Sequence, residues 1–261
     1  MVTRMKGLRF FILSLFLAVF LPVPAGSVEI EMVAGAGPST QIVSIFFKEF
    51  SKLPAADGYE FLVPRRSTKH AGGILASGSY LFGRTGRPFN AEEKQQGKEE
   101  IFLAKIPISF VVGSRVGIKQ ITEKQLAAIY TGEITNWKSL DGPDARIYLV
   151  GREKTEAALN ELLLSYRFLA RANFDKILIR DHQVVNFIES FEGKFGLAFG
   201  VKPNFKSKYL LDVAQLKAGL KVGLVYDVKN RQHPLVAAVK EYAASSAWHE
   251  IVLQNDFLVV E

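Results

Sequence analysis

The sequence predicts an α/β fold, and three observations carry that prediction. Apolar runs with the period of a strand alternate with apolar stripes of helical period, glycine- or proline-bearing loops separate them, and no repeat or low-complexity tract interrupts the order. The chain has 261 residues, 48% hydrophobic and 23% charged, a profile that excludes disordered, collagenous and disulfide-stapled proteins and supplies one large or two modest cores.

The elements follow in order. Arg4, Lys6 and Arg9 precede an apolar run from Phe10 to Phe20, closed by small residues and prolines up to Ser27. This layout predicts a signal peptide over residues 1–27, with cleavage after Ala25 or Ser27. An uncleaved anchor is the alternative, but a spanning helix needs about 20 apolar residues and Pro22 and Pro24 end this run early. The expected location is therefore the periplasm. With no cysteine, a lipoprotein anchor, thiolate catalysis and Cys-ligated metals are excluded.

Val28–Val33 alternates apolar and acidic residues, as a half-buried strand does, and runs into the loop Ala34–Thr40. Ile42, Ile45, Phe46, Phe50 and Leu53 then share one helical face. Tyr59–Val63 reads as a second strand, Ser67–Gly73 as a small-residue segment, and Pro107–Val112 as another strand. Thr122 and Gln125 form a Thr-x-x-Gln capping box ahead of Leu126, Ile129 and Tyr130, and Gly132 stops that helix. Ile147–Val150 is a strand leading through Arg152 into a helix carrying Leu159, Leu162 and Leu169. Asp181 is expected to cap a helix over Val184–Phe191. Strands at Leu197–Phe199 and Leu224–Tyr226 follow, and Pro234 suits the first turn of a further helix.

The segment Ile121-Thr-Glu-Lys-Gln-Leu-Ala-Ala-Ile-Tyr-Thr-Gly-Glu-Ile-Thr-Asn-Trp137-Lys138 resembles the signature of phosphate-type periplasmic solute-binding proteins of ABC transporters. Shorter segments agree in order. Gly35–Thr40, Ser67–Ile74 and Phe82–Pro88 are similar to that family's three anion loops, Gly193–Leu197 to its glycine-rich return, and Trp248–Val260 to its terminal helix and strand. The resemblance implies a two-lobe α/β periplasmic binding protein fold with a ligand cleft between lobes joined by two crossovers, expected near Val111–Val116 and Gly196–Gly200. Lobe 1 would comprise residues 28–112 and 198–261, and lobe 2 residues 113–197. It also implies capture of a small oxyanion, phosphate first, for an ABC transporter permease. Ser39, Thr40, Ser67, Thr68, Thr85, Arg87, Arg152 and Thr155 are the implied ligand-binding residues. Physically such a site combines helix N-termini, hydroxyl donors and Arg.

The family pattern is broken in two places. Its Ser-Gly-Thr after the Arg is replaced by Lys154-Thr155-Glu156-Ala157-Ala158, and its third-loop Asp by the Thr85-Gly86-Arg87 region. Without that acceptor for a protonated phosphate oxygen, one reason to prefer phosphate over sulfate is gone. Glu156 either repels an anion in the cleft or complements the dipole of its own helix. Ser39, Thr40, Ser67 and Thr68 also suit plain helix caps, Arg84, Arg87 and Arg152 surface or ion-pair roles, and Trp137 a packed corner.

Other function classes fare worse. Four histidines occur, with no His-Glu-x-x-His, Gly-x-Ser-x-Gly or Ser-x-x-Lys motif, so an enzyme is not expected. Gly35-x-Gly37 lacks the third glycine of a dinucleotide fingerprint, and no cofactor is expected. Removing residues 1–27 takes away Arg4, Lys6 and Arg9 and no acid, lowering the formal charge from +7 to +4, and the remaining basic residues are dispersed. Nucleic acid is therefore not an expected partner. A monomer is expected. The remaining rival is a diverged sensory or interaction module of the same fold, with a sensor protein rather than a permease as partner.

Overall fold

The computed structural model describes residues 28–214 and 216–260, so the expected signal peptide lies outside the described residues. Strand β1 (Glu29–Met32) pairs in parallel with β2 (Tyr59–Leu62). Between them runs α1 (Thr40–Phe50), which buries Ile42, Val43, Phe46, Phe47 and Phe50; Ile42, Phe46 and Phe50 belong to the expected stripe, while Ile45 is half-buried and Leu53 lies beyond the helix. Next come α2 (Lys69–Ser79), β3 (Gly83–Thr85) and the 15-residue β4 (Lys98–Val112). The short β5 (Gln120–Ile121) precedes α3 (Glu123–Tyr130). There the expected capping box forms: Gln125 N–H donates to Thr122 Oγ1 at 3.2 Å and Thr122 N–H to Gln125 Oε1 at 2.8 Å.

β6 (Tyr148–Arg152), α4 (Ala157–Ser165), α5 (Asp181–Glu189) and β8 (Gly196–Val201) follow in the expected order, but α4 ends before Leu169, which lies in a 3-10 turn, and β7 (Lys176–Leu178) is a strand not expected from the sequence. β9 (Leu210–Val213) and β10 (Gly219–Asp227) return the chain to α6 (Pro234–Ala243) and α7 (Ser246–Gln254). The large mixed sheet has the order β3-β10-β4-β8-β6-β7, with β9 beside β4 and β5 beside β9. β4 is its spine, antiparallel to β10 over Lys98–Pro107 and to β8 over Ile108–Val112.

Two principal hydrophobic cores pack on this spine. One gathers Phe46, Phe50, Ile106, Leu220, Val236 and Trp248. The other gathers Ile108, Phe110, Leu126, Trp137, Leu162, Phe199, Leu211 and Ala218. Each closes on a fully buried indole: Trp248 Nε1 donates to Leu103 O and Trp137 Nε1 to Phe195 O, both at 2.8 Å. A buried aromatic of this size contributes about 1.5–3 kcal/mol by burial, and the bonded N–H avoids the desolvation penalty.

The cores exchange between Ile106 and Ile108 on β4 and between Ala218, just before β10, and Leu220 on it. Beyond that exchange, in the segments Val111–Val116 and Gly196–Gly200 where crossovers are expected, β4 and β8 continue their ladder, and Leu197 and Phe199 gather with Phe110 in the second core. Two local expectations also change. Much of the Ser67–Gly73 segment lies in α2, with Gly73 so close to β3 that an added Cβ would sit 2.1 Å from Arg84 O. Asp181 is the first residue of α5 rather than its cap, which is Arg180.

Candidate functional site

Arg84, 0% exposed, organises the first wall. Its Nε donates to Ala36 O (2.9 Å), its NH1 to Val33 O (2.7 Å) and its NH2 to Pro64 O (2.9 Å), so one guanidinium ties the segments after β1 and β2 to β3. Thr68 N–H donates to Gly35 O at 2.9 Å, Gly86 N–H to His70 Nδ1 at 3.4 Å, and a Cβ on Gly37 would lie 3.5 Å from Ser67 Oγ. The three predicted anion loops therefore meet in one platform.

Their hydroxyls differ in state. Ser39 is buried and donates to Ala36 O at 3.2 Å, making no side-chain cap bond to α1. Thr40 Oγ1 and Thr85 Oγ1 are buried without a partner in the protein, and such groups call for a water or a ligand. Ser67 and Thr68 are exposed. Arg87 is bidentate to Glu93 at 2.7 and 2.9 Å, which holds the Glu93 carboxyl down at about 2. His70 lies 3.4 Å from the same carboxylate, and burial, followed by the nearby Arg87 charge, pushes its pKa down.

The second wall is built where β6 ends. Arg152 is 5% exposed and donates through NH1 to Asp181 Oδ1 at 2.7 Å, while its Nε has no partner in the protein. Glu156 is the N-cap of α4: its Oε2 accepts from Leu159 N–H at 2.8 Å, and its Oε1 lies 3.8 Å from Arg152 NH2. Of the two sequence readings of Glu156, the structure shows the carboxylate on its own helix terminus. Thr155 and Lys154 are exposed beside it.

The walls enclose a groove of about 580 Å³ floored by Leu220, with Arg87, Pro88 and Asn90 on one side and Lys154, Thr155, Ala157, Asn160, Glu161 and Leu164 on the other. A neighbouring cavity of about 290 Å³ sets Gly37, Pro38 and Gln41 against Asp181 and Asn204. Of the predicted residues, the structure brings Arg87 and Thr155 to one groove, while the Asp181 cavity is lined by Gly37, Pro38 and Gln41, on either side of Ser39 and Thr40 in the chain. The structure places Ser39 and Thr85 within the platform and Arg152 behind two carboxylates. Glu93, Asn90, Asn160 and Asp181 were missed. Asp181 carried a signal, an acid at a helix start, but its pairing with Arg152 spans 29 positions. Among the described residues no group of three or more His, Asp or Glu is placed to hold a metal ion.

Strand ends, donor loops and two cores joined by paired strands point to one family, and residues 25–243 match the sequence model described as the PBP superfamily domain. The chain belongs to the PBP superfamily. This PBP superfamily chain is 26% identical over 204 residues to a protein named phosphate-binding protein PstS of Borreliella burgdorferi, covering 70% of this chain and 73% of that one. Its fold is similar to a putative phosphate ABC transporter substrate-binding protein with bound phosphate from Clostridium perfringens, at TM-score 0.60 and 19% identity over 89% of this chain and 100% of that one. An ABC-type phosphate transport receptor from Vibrio cholerae aligns at TM-score 0.54 and 14% identity, over 89% and 100%. These matches establish the two-lobe α/β fold of the superfamily for this chain.

Proposed function

We propose that the chain is an extracytoplasmic solute-binding protein that captures a small oxyanion, phosphate first, and delivers it to an ABC transporter permease. The observation that carries this reading is the groove between the cores, into which donors converge from both walls: Arg87 and Asn90 from one, Lys154, Thr155 and Asn160 from the other. Donors on two separately packed bodies suit a ligand that is enclosed when the bodies close. The relative named as a phosphate-binding protein supports the choice of anion. The exposed Ser67 and Thr68 extend the donor set of the first wall, where the Thr40 and Thr85 hydroxyls are also without a partner in the protein.

In this reading lobe 1 comprises residues 28–107 and 219–261 and lobe 2 residues 108–218, with the chain exported as a monomer after removal of residues 1–27. It binds rather than catalyses, and its partners are the anion and a permease, not nucleic acid.

A second reading, a sensory or interaction module, is favoured by one observation: Arg87 and Arg152 are both already paired with carboxylates of the protein. Thermal denaturation with phosphate, sulfate, molybdate and organic acids separates the two. A specific ligand at a hundredfold its dissociation constant adds about 2.7 kcal/mol of stability. Phosphate is expected to raise the melting temperature most, and a flat response to all of them favours the module.

A further inference from the structure

We infer that the carboxylate of Glu156 is a tethered competitor for the solute: it holds the seat at the start of α4 that a bound oxyanion takes, and thereby sets the affinity of the groove. The inference rests on the oxyanion reading above and names the residue that tunes it.

The seat has three parts. The first turn of α4, a nine-residue helix, presents backbone N–H groups and the positive end of its dipole, and Leu159 N–H is taken by Glu156 Oε2 at 2.8 Å. Arg152, 5% exposed, brings its guanidinium to the same place, with NH2 only 3.8 Å from Glu156 Oε1, beyond hydrogen-bond length. Its Nε is buried with no partner in the protein, a charged donor left open beside the helix start. Thr155 and Lys154, immediately before Glu156, and Ala157, immediately after it, line the groove, so the seat borders it.

Charge decides how it is used. Asp181 and Glu156 together set two carboxylates against one guanidinium. An oxyanion arriving with Glu156 in place adds a third negative group, and like charges at this range in a partly enclosed groove cost several-fold more than in water. An exchange avoids that cost. Glu156 rotates out toward the groove and an oxyanion oxygen takes over the Leu159 N–H and the open Arg152 Nε, while NH1 stays on Asp181 and NH2 on Ile179 O at 3.4 Å. The Leu159 N–H bond gained only replaces the one Glu156 gave up, and Glu156 goes on competing for that donor, so the affinity is lowered while the carboxylate remains. Asp181 has a different part. It binds Arg152 at 2.7 Å and fixes the guanidinium without touching the α4 N-terminus, so removing its charge leaves the seat filled.

The test is isothermal titration of phosphate into the wild type, Glu156→Ser and Asp181→Asn. Serine is itself a favourable N-cap, so the first variant is expected to fold, and its unliganded melting temperature checks this. Glu156→Ser is expected to tighten phosphate binding by about tenfold or more, equivalent to about 1.4 kcal/mol, and Asp181→Asn to change it far less. Equal tightening by both variants would assign the effect to overall charge and overturn the seat. Wild-type binding with no gain in Glu156→Ser would sink this inference alone. Absence of phosphate binding in the wild type and in Glu156→Ser would overturn it together with the oxyanion reading.

Discussion

Pro107 on β4 stands directly opposite Gly219 on β10, and the apolar core changes on passing that pair: Ile106 and Leu220 belong to one cluster, Ile108 and Ala218 to the other. Proline supplies no N–H to the ladder, so the pairing is thinned at the rung where the two bodies meet. The next rung is held by Ile108 N–H to Ala218 O at 3.0 Å.

Gly219→Val is accordingly expected to destabilise. A Cβ at 219 would lie 2.8 Å from Lys105 Cβ, 3.1 Å from Leu258 Cδ1 and 3.2 Å from Ile106 O, none of which is the free end of a long side chain attached to a mobile loop. Forcing branched atoms into that space costs about 1–3 kcal/mol. Chemical denaturation measures it, and an unchanged midpoint and slope would show that the pair tolerates bulk.

Glu100 predicts a pH dependence. Its Oε2 accepts from Phe89 N–H at 3.0 Å, its Oε1 is buried without a partner, and burial, with Glu93 adding to it against Lys94 and Arg87, pushes its pKa up from 4.5 to about 7. A folded-state pKa above the unfolded value means that the folded protein holds the proton more tightly. Glu100 therefore takes stability away as pH rises from about 4.5 to about 7, with the full loss above that range. Glu93, held at about 2 by Arg87, acts oppositely: its contribution is present above 4.5 and is lost as pH falls toward 2. Glu100→Gln keeps the acceptor for Phe89 and removes the charge. Its melting temperature is expected to match the wild type near pH 4 and exceed it near pH 8; a gap that does not vary with pH would contradict the assignment.

What the sequence made legible was local. The Thr122–Gln125 box, the Ile42, Phe46 and Phe50 positions of α1 and Pro234 in the first turn of α6 all express chemistry within a few residues, and all appear where expected, although the stripe extends in the sequence as far as Leu53 and the helix stops at Phe50. Pairings across long stretches of chain were not legible. Arg152 and Asp181 stand 29 positions apart, and Asp181 reads as a cap until β6 and α5 are laid side by side. The change of core at Pro107 was hidden because the sequence pattern starts the strand there, whereas β4 runs from Lys98 through Pro107 to Val112 with a continuous buried run that spans the proline. The Gly72-Gly73 pair read as a loop, since only the approach of β3 explains glycine inside a helix.

The most direct test of the central claim, that an oxyanion is held between the two walls, is isothermal titration of phosphate into the wild type and two double variants, Ser67→Ala/Thr68→Val on one wall and Lys154→Ala/Thr155→Val on the other. All four side chains are exposed, so stability is expected to stay within about 0.5 kcal/mol and any lost affinity reports contact with the ligand. The account predicts measurable wild-type binding that falls by about tenfold or more when either wall is altered. Wild-type binding that neither double variant weakens, or no binding at millimolar phosphate, would contradict it.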